Sequence, residues 1–464
     1  MHFCTLTMAS FDSETFDGVV FSKMSETKIP SIAASIIERG DVVHARGFGY
    51  KDVSAALPAT EHTLYGIGSI TKSFVALSIA KLVEAGKMDF HDPITKFLPL
   101  RPKAFQGVEI HHLLSHTSGI PGLGSLEVLL LSAFGEYHHW LPISSLGDMQ
   151  SFISDVDDWA EAKPGERLFY LNEGFVLLGE VIARVSGRPW FAFVTEEILK
   201  PLGMNRTFLS KADISQDPDV ATPYLIRGAK VAPIAAPYGS GGAGGIVSNA
   251  LDLSNYVRMY INEGEFEGKR VIGKDVLSKM ETPYGKWPAE YYGGDSYGYG
   301  LQIIQNFRGH KVVGHGGSVD CYTANMNFVR DLRSGVILLA NGTGYSLGRL
   351  SMIAQSLLAG ADPDELRAVR LETLLKKLEG QYKAYKDTLF AEVKVNESFL
   401  MLSGEDIGKD IILVPEGEED GVARFYTLDG GAKMEVTFRF NKHGVELLYE
   451  RYRYRRAGPL AAQP

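Results

Sequence analysis

The chain has 464 residues, 45% of them hydrophobic and 22% charged, which is more than one core can hold and excludes wholesale disorder. With 47 basic against 56 acidic side chains the formal charge is −9, which argues against nucleic acid or any other polyanion as a partner. Two cysteines, Cys4 and Cys321, supply neither a disulfide framework nor a thiolate metal cage.

The opening MHFCTLTMASFDSETF lacks a basic start, a sustained apolar stretch and a small-residue cleavage site, and Met8 is a second candidate start. Apolar runs such as Val128–Ala133 are too short to cross a bilayer. These features predict a cytoplasmic protein with no membrane partner. Ile32–Ile37 and Val42–Gly47 flank Glu38-Arg39-Gly40-Asp41 and read as a hairpin. A helix is predicted from Ser69 to Glu84, stopped at Gly86. Its Phe74, Leu77, Ile79, Leu82 and Val83 spread around the circumference, as in a central, buried helix. Val176–Val185 and Ala250–Tyr260 read as further helices, Val312–Val313 and Val336–Ala340 as strands. Together they predict a mixed α/β or α+β domain over residues 1–360. Leu358-Ala359-Gly360-Ala361-Asp362-Pro363 marks a boundary, and a charged helix, Glu365–Leu378, makes residues 361–379 a helical linker. Period-two stretches such as Met434-Glu435-Val436-Thr437-Phe438-Arg439-Phe440, separated by turns at Gly404, Gly417 and Asp429-Gly430-Gly431, predict a small antiparallel sandwich or barrel over 380–464.

Three local patterns can carry chemistry. In Gly68-Ser69-Ile70-Thr71-Lys72 a hydroxyl and an amine share one helix face. Free N–H groups at a helix start stabilise developing negative charge, and a lysine held against apolar surface loses affinity for its proton. Ser-x-x-Lys alone is weak, since chance supplies it in most chains of this size. Tyr170-Leu171-Asn172 follows the turn Pro164-Gly165-Glu166; alternate spacing directs the phenol and the amide to one side if the segment is extended. A phenol relays a proton and an amide orients a lysine or a carbonyl, whereas the plain alternative is a surface turn with an aromatic anchor. Gly314-His315-Gly316-Gly317-Ser318 lies between apolar strand segments, where glycines admit a substrate backbone and a free N–H can serve an oxyanion. A glycine-bent edge strand with a structural histidine is the competing reading.

Taken in order, Ser-x-x-Lys, Tyr-x-Asn and His-Gly-Gly resemble the motifs of the serine β-lactamase and penicillin-binding-protein superfamily, nearest its class C β-lactamase-related branch of D-aminopeptidases, D-peptidases and family VIII esterases. Leu82-Val83-Glu84-Ala85-Gly86-Lys87, Asp92-Pro93-Ile94, Leu113-Leu114-Ser115-His116-Thr117-Ser118-Gly119, Gly244-Gly245-Ile246-Val247-Ser248 and Tyr299-Gly300-Leu301 extend the resemblance over roughly residues 18–345. The His-Gly-Gly third motif and the C-terminal barrel resemble an archaeal serine peptidase that assembles a closed compartment. The resemblance implies a β-lactamase/transpeptidase-like catalytic domain followed by a lipocalin-like antiparallel β-barrel, with no cofactor. It implies Ser69 as the acylated nucleophile, Lys72 as the group that removes its proton, and Tyr170 as the proton shuttle to the leaving group and the deacylating water. Asn172 would support Lys72 and the substrate amide. Gly316 and Gly317 would line the substrate, and the N–H groups of Ser69 and Ser318 would form the oxyanion hole. It further implies peptide substrates containing D-residues and a homo-oligomer, a cage-like octamer.

One departure stands out: the family's third motif is usually Lys-Thr-Gly or Lys-Ser-Gly, and here it is His315-Gly316-Gly317. The cation and hydroxyl that hold a β-lactam carboxylate are missing, which argues against efficient β-lactam hydrolysis and leaves His315 to polarise Tyr170 or to join a Ser-Lys-His arrangement. The alternatives are a carboxylesterase using the same residues and a non-catalytic binding protein on the same fold. Elsewhere, His112 and His116 stand four apart without a third metal ligand, and His138-His139 lies in an apolar-rich stretch that suits a lid, an interface or plain packing. Glycines in 239–245 suit a flexible wall of the site, Cys321 a small core residue, and Arg451–Arg456 a solvated strand face.

Overall fold

The structure, a computed structural model, describes residues 10–135, 143, 145–209, 211–228, 230–235, 241–404, 407 and 410–460. Cys4, Met8, His138 and His139 lie outside the described residues. The chain divides into two units, Met1–Ala361 and Asp362–Pro464.

In the first unit nine strands form one sheet in the order Gly285–Lys286, Asp295–Tyr297, Gln302–Phe307, His310–Ser318, Thr323–Val329, Ser334–Ala340, Ser31–Glu38, Asp41–Asp52 and Leu57–Pro58. Neighbours pair antiparallel, so strands from both ends of the unit meet at its centre, where Ile32 faces Ala340 and Ile36 faces Val336. All seven residues of Ser334–Ala340 are buried, which accounts for the continuous apolar run: the strand is covered on both faces. Alternation then sorts the side chains. Ile32, Ala34, Ile36, Val336 and Leu338 pack under Ser13–Thr27 and Leu347–Leu358. Ala33, Ile37, Ile337 and Leu339 join the larger core with helices Thr71–Glu84, Asn172–Ser186 and Ala250–Ile261. Phe74 stacks on Tyr256 with ring centroids 4.1 Å apart, which fixes the Thr71–Glu84 helix against the sheet-bound helix. Eleven of its fourteen residues are buried, and that makes its first turn a rigid platform.

The second unit is a closed antiparallel barrel of eight strands. The period of two places Val436 and Phe438 inside while Glu435 and Arg439 point away, and Gly380–Lys383 closes on Tyr452–Gly458 through Tyr382 and Arg456. The helix Arg367–Leu378, within the segment set apart from sequence as a linker, contributes Leu374, Leu375 and Leu378 to the barrel core. Arg453 and Arg455 flank the carboxylate of Glu446, so two arginines of the run read as a solvated face are ion-paired. No helix among the described residues is long and apolar enough to cross a membrane.

Candidate active site

A short 3-10 turn, Gly68–Ile70, leads into the Thr71–Glu84 helix. It carries Ser69 partly exposed among buried neighbours. The turn touches the strand His310–Ser318 so closely that side chains are impossible at two places. A Cβ on Gly68, whose φ is +49°, would stand 2.7 Å from the Ser318 nitrogen, and one on Gly317 would strike the Ile67 carbonyl oxygen and come within 3.1 Å of the Ser69 nitrogen. Bare backbone at both positions therefore lets the turn and the strand approach closely, with the Ser318 nitrogen against Gly68 and the Ser69 nitrogen against Gly317.

One turn on, Lys72 is fully buried. Its Nζ lies 3.0 Å from Ser69 Oγ and donates to the Ala243 carbonyl oxygen at 2.6 Å, with the rings of Tyr170 and Phe175 at 4.9 and 5.7 Å. Burial pulls its pKa down to about 7, opposed by the carboxylates of Glu127 and Glu173. An amine that is half unprotonated at neutral pH can take the proton of Ser69.

Tyr170 completes the group. Burial raises its pKa, only partly offset by its hydrogen bond with Ser69, so the phenol keeps its proton and serves as a donor. The ring lies 4.1 Å from the imidazole of His116. His116 is buried, and its Nδ1 accepts the Leu171 N–H at 3.0 Å, so Nε2 carries the hydrogen. Burial, then Lys72 and His315, holds its pKa well below the ordinary imidazole value. His116 thus fixes the loop that presents Tyr170. It is not paired with His112, whose own Nδ1 accepts the Glu109 N–H, and no three-ligand metal cluster occurs among the described residues.

His315 is buried with its Nδ1 2.5 Å from the Gly316 carbonyl and its Nε2 2.7 Å from the Tyr297 hydroxyl. A carbonyl only accepts, so Nδ1 carries the proton and Nε2 accepts from Tyr297. Burial first, and Lys72 second, depress the pKa to about 3. The third motif therefore presents a neutral imidazole. Its ring is 6.3 Å from that of Tyr170, and its hydrogen-bond partner is Tyr297.

Asn172 is the first residue of the Asn172–Ser186 helix; the chain turns helical there instead of staying extended. Its amide donates to Glu127 Oε1 at 3.0 Å, while Oδ1 is buried without a partner among the described residues. Glu173, 2% exposed, accepts from the N–H and the hydroxyl of Ser125. Glu127, Glu173, Ala243 and Tyr297 escaped the sequence reading. Glu173, directly after Tyr-x-Asn, and Ala243, inside the glycine stretch 239–245 read as a wall of the site, carried a positional signal. Gly241–Ala243 forms a 3-10 turn that supplies the Lys72 acceptor, and Cys321 is buried.

Comparison with known proteins places this geometry. The Beta-lactamase family model matches residues 16–360, and the model named Pab87 octamerisation domain matches residues 363–455. A structure of the octameric penicillin-binding protein homologue from Pyrococcus abyssi is similar with a TM-score of 0.90 and 43% identity, covering 96% of this chain and 99% of that one. A D-stereospecific amidohydrolase from Streptomyces sp. is similar over 75% of this chain and 99% of its own, at 25% identity and a TM-score of 0.62. Among curated relatives, penicillin-binding protein 4* of Bacillus subtilis is 26% identical over 66% of this chain and 66% of its own length. Esterase EstB of Burkholderia gladioli is 32% identical over 43% of this chain and 55% of its own. The chain thus spans about two thirds or less of the length of these curated relatives. With a family model matching residues 16–360, and with the Ser69 hydroxyl, the Lys72 amine and the Tyr170 phenol brought together, the chain belongs to the β-lactamase family of serine hydrolases.

Proposed function

We propose that the protein is a serine peptidase that cleaves peptides, D-residue peptides among them, through an acyl-enzyme on Ser69. The observation that carries this reading is the buried Lys72 amine 3.0 Å from Ser69 Oγ with its pKa drawn to about 7. As Oγ bonds the substrate carbonyl carbon, its proton passes to the neutral Lys72 amine. The oxyanion is stabilised by the N–H groups of Ser69 and Ser318. Collapse breaks the C–N bond; the leaving amine takes a proton from the Tyr170 hydroxyl, and the Lys72 ammonium restores it. Water then attacks the acyl carbon, delivers its proton through the same pair, and returns Ser69. Neutral His315 and Tyr297 brace the strand behind the phenol, and Asn172 offers Oδ1 to a substrate amide N–H. The D-residue component is supported by the similar D-stereospecific amidohydrolase.

The second unit is proposed to join copies into a homo-octamer, supported by the octamerisation-domain match and the octameric neighbour. Removing residues from about 370 onward is expected to reduce particle mass in light scattering; an unchanged mass contradicts the assembly role.

A peptide-library digest read by mass spectrometry, with Ser69→Ala as control and p-nitrophenyl esters in parallel, tests the activity. Turnover persisting in Ser69→Ala rejects the nucleophile. Ester cleavage with every L- and D-peptide untouched replaces the peptidase by the carboxylesterase reading, and no turnover with no acylation leaves a binding protein.

A further inference from the structure

The Asn172–Ser186 helix does more than start at the site. Asn172, Val176 and Glu180 stand four residues apart on one helix face, and this face walls a cavity of about 170 Å³. That volume equals roughly five or six waters, the space of one long side chain. At its inner end are Asn172 and Ala243, the residue whose carbonyl holds Lys72. Leu126, Leu129, Met149, Val176 and Trp190 make its walls largely apolar, with Ser125 and Ser145 as polar exceptions whose hydroxyls are engaged by Glu173 and the Asp148 N–H. At the far end Glu180, half-buried, has neither a hydrogen bond nor an ion pair among the described residues. The cation one turn on does not satisfy it, because Arg184 donates to the Phe97 carbonyl.

We propose that this cavity receives the side chain on the acyl side of the scissile bond and selects lysine or arginine. The inference rests on the catalytic reading above and names the substrate class within it. A largely apolar channel ending in a carboxylate that has no partner among the described residues matches the two halves of a basic side chain, whose methylene stem buries well while its head needs a counter-charge. Length agrees as well. Asn172 and Glu180 are separated by a helix rise of about 12 Å, and a glutamate on a helix leans toward the N-terminus, back toward Asn172 and the four-carbon stem. Asn172, which also lines the cavity, keeps its Oδ1 buried and without a partner among the described residues. Purely apolar side chains would fill the channel and leave the carboxylate unanswered; acidic ones would be repelled.

The test is a set of peptide p-nitroanilides identical except for the acyl-side residue: lysine, arginine, norleucine and glutamate, each in L and D form. For the wild-type protein kcat/KM for lysine and arginine is expected to exceed that for norleucine by ten- to a hundredfold. The lysine-to-norleucine ratio is expected to fall at least tenfold in Glu180→Gln, and in Glu180→Lys the preference should move to glutamate. A wild-type ratio at or below one overturns the assignment, as does a ratio that neither variant changes. Fluorophosphonate labelling of wild-type Ser69 separates the failures. A labelled protein that cleaves norleucine peptides without favouring basic ones removes the pocket assignment alone, whereas no label and no cleavage removes the peptidase reading with it.

Discussion

Lys72 is where the electrostatics can be tested most sharply. A lysine with the ordinary value of 10.5 holds a free amine in about one molecule in three thousand at pH 7; drawn to about 7, it does so in roughly half. Acylation by a Lys72 base should therefore follow the free-amine fraction, with kcat/KM rising as pH passes through about 7 and levelling above it. Tyr170, raised by burial, should add no falling limb in the neutral range. Lys72→Arg keeps the charge but stays protonated throughout, so a loss of about a thousandfold or more is expected at pH 7. Glu127→Gln removes the leading influence that favours the ammonium form, and the rising limb should move to lower pH. His315→Asn should weaken activity without moving that limb, because the imidazole titrates near 3. The assay is stopped-flow acylation from pH 4 to 10. A limb that disappears in His315→Asn, or one that survives unchanged in Lys72→Arg, would refute the assignment of Lys72 as base.

Three further outcomes are expected. The depressed Lys72 value means the unfolded chain binds more protons between about 7 and 10.5, so this group lowers stability at pH 7 and its penalty fades as pH rises toward 10.5. Lys72→Met should accordingly raise Tm at pH 7 while abolishing activity, with the gain shrinking at pH 10; a lower Tm at both values contradicts the burial argument. Gly317→Ala must push the turn away from the Ile67 carbonyl and should cost about 1–3 kcal/mol in denaturant unfolding together with most of the acylation rate. In Glu281→Ala the Arg330 guanidinium loses both oxygens of a carboxylate that is 2% exposed, and a loss of about 3 kcal/mol is expected by urea titration.

Much of the fold was legible because local patterns and tertiary burial agree. The run Val336–Ala340 is apolar at every position, and both faces of that strand are covered. The alternation at Met434–Phe440 sets which barrel residues point inward. Ser69 and Lys72 were readable because helical spacing alone brings them to one face. What escaped depends on pairings the chain order conceals. Tyr297 meets His315 across the strand Gln302–Phe307, whose Gln302 pairs with Tyr297 on one side and with Gly314 on the other, and no spacing rule links Ala243 to Lys72 across 171 positions. His315 looked available to Tyr170, but the Gly316 carbonyl sets its tautomer and gives its free nitrogen to Tyr297. The change from extended chain to helix at Asn172 was equally hidden, because one residue decides whether its amide faces Lys72 or Glu127.

The closed barrel has a consequence for how copies can meet. Gly380–Lys383 seals against Tyr452–Gly458, so every strand of the barrel has a neighbour on each side and, among the described residues, none offers an open edge to a strand from another molecule. Self-association through this unit must rely on outward side chains such as Ile412, Leu428 and Phe390, which are 49%, 67% and 50% exposed. Such a contact is separable from folding: charged replacements at these positions should dissolve an assembly and leave each barrel intact.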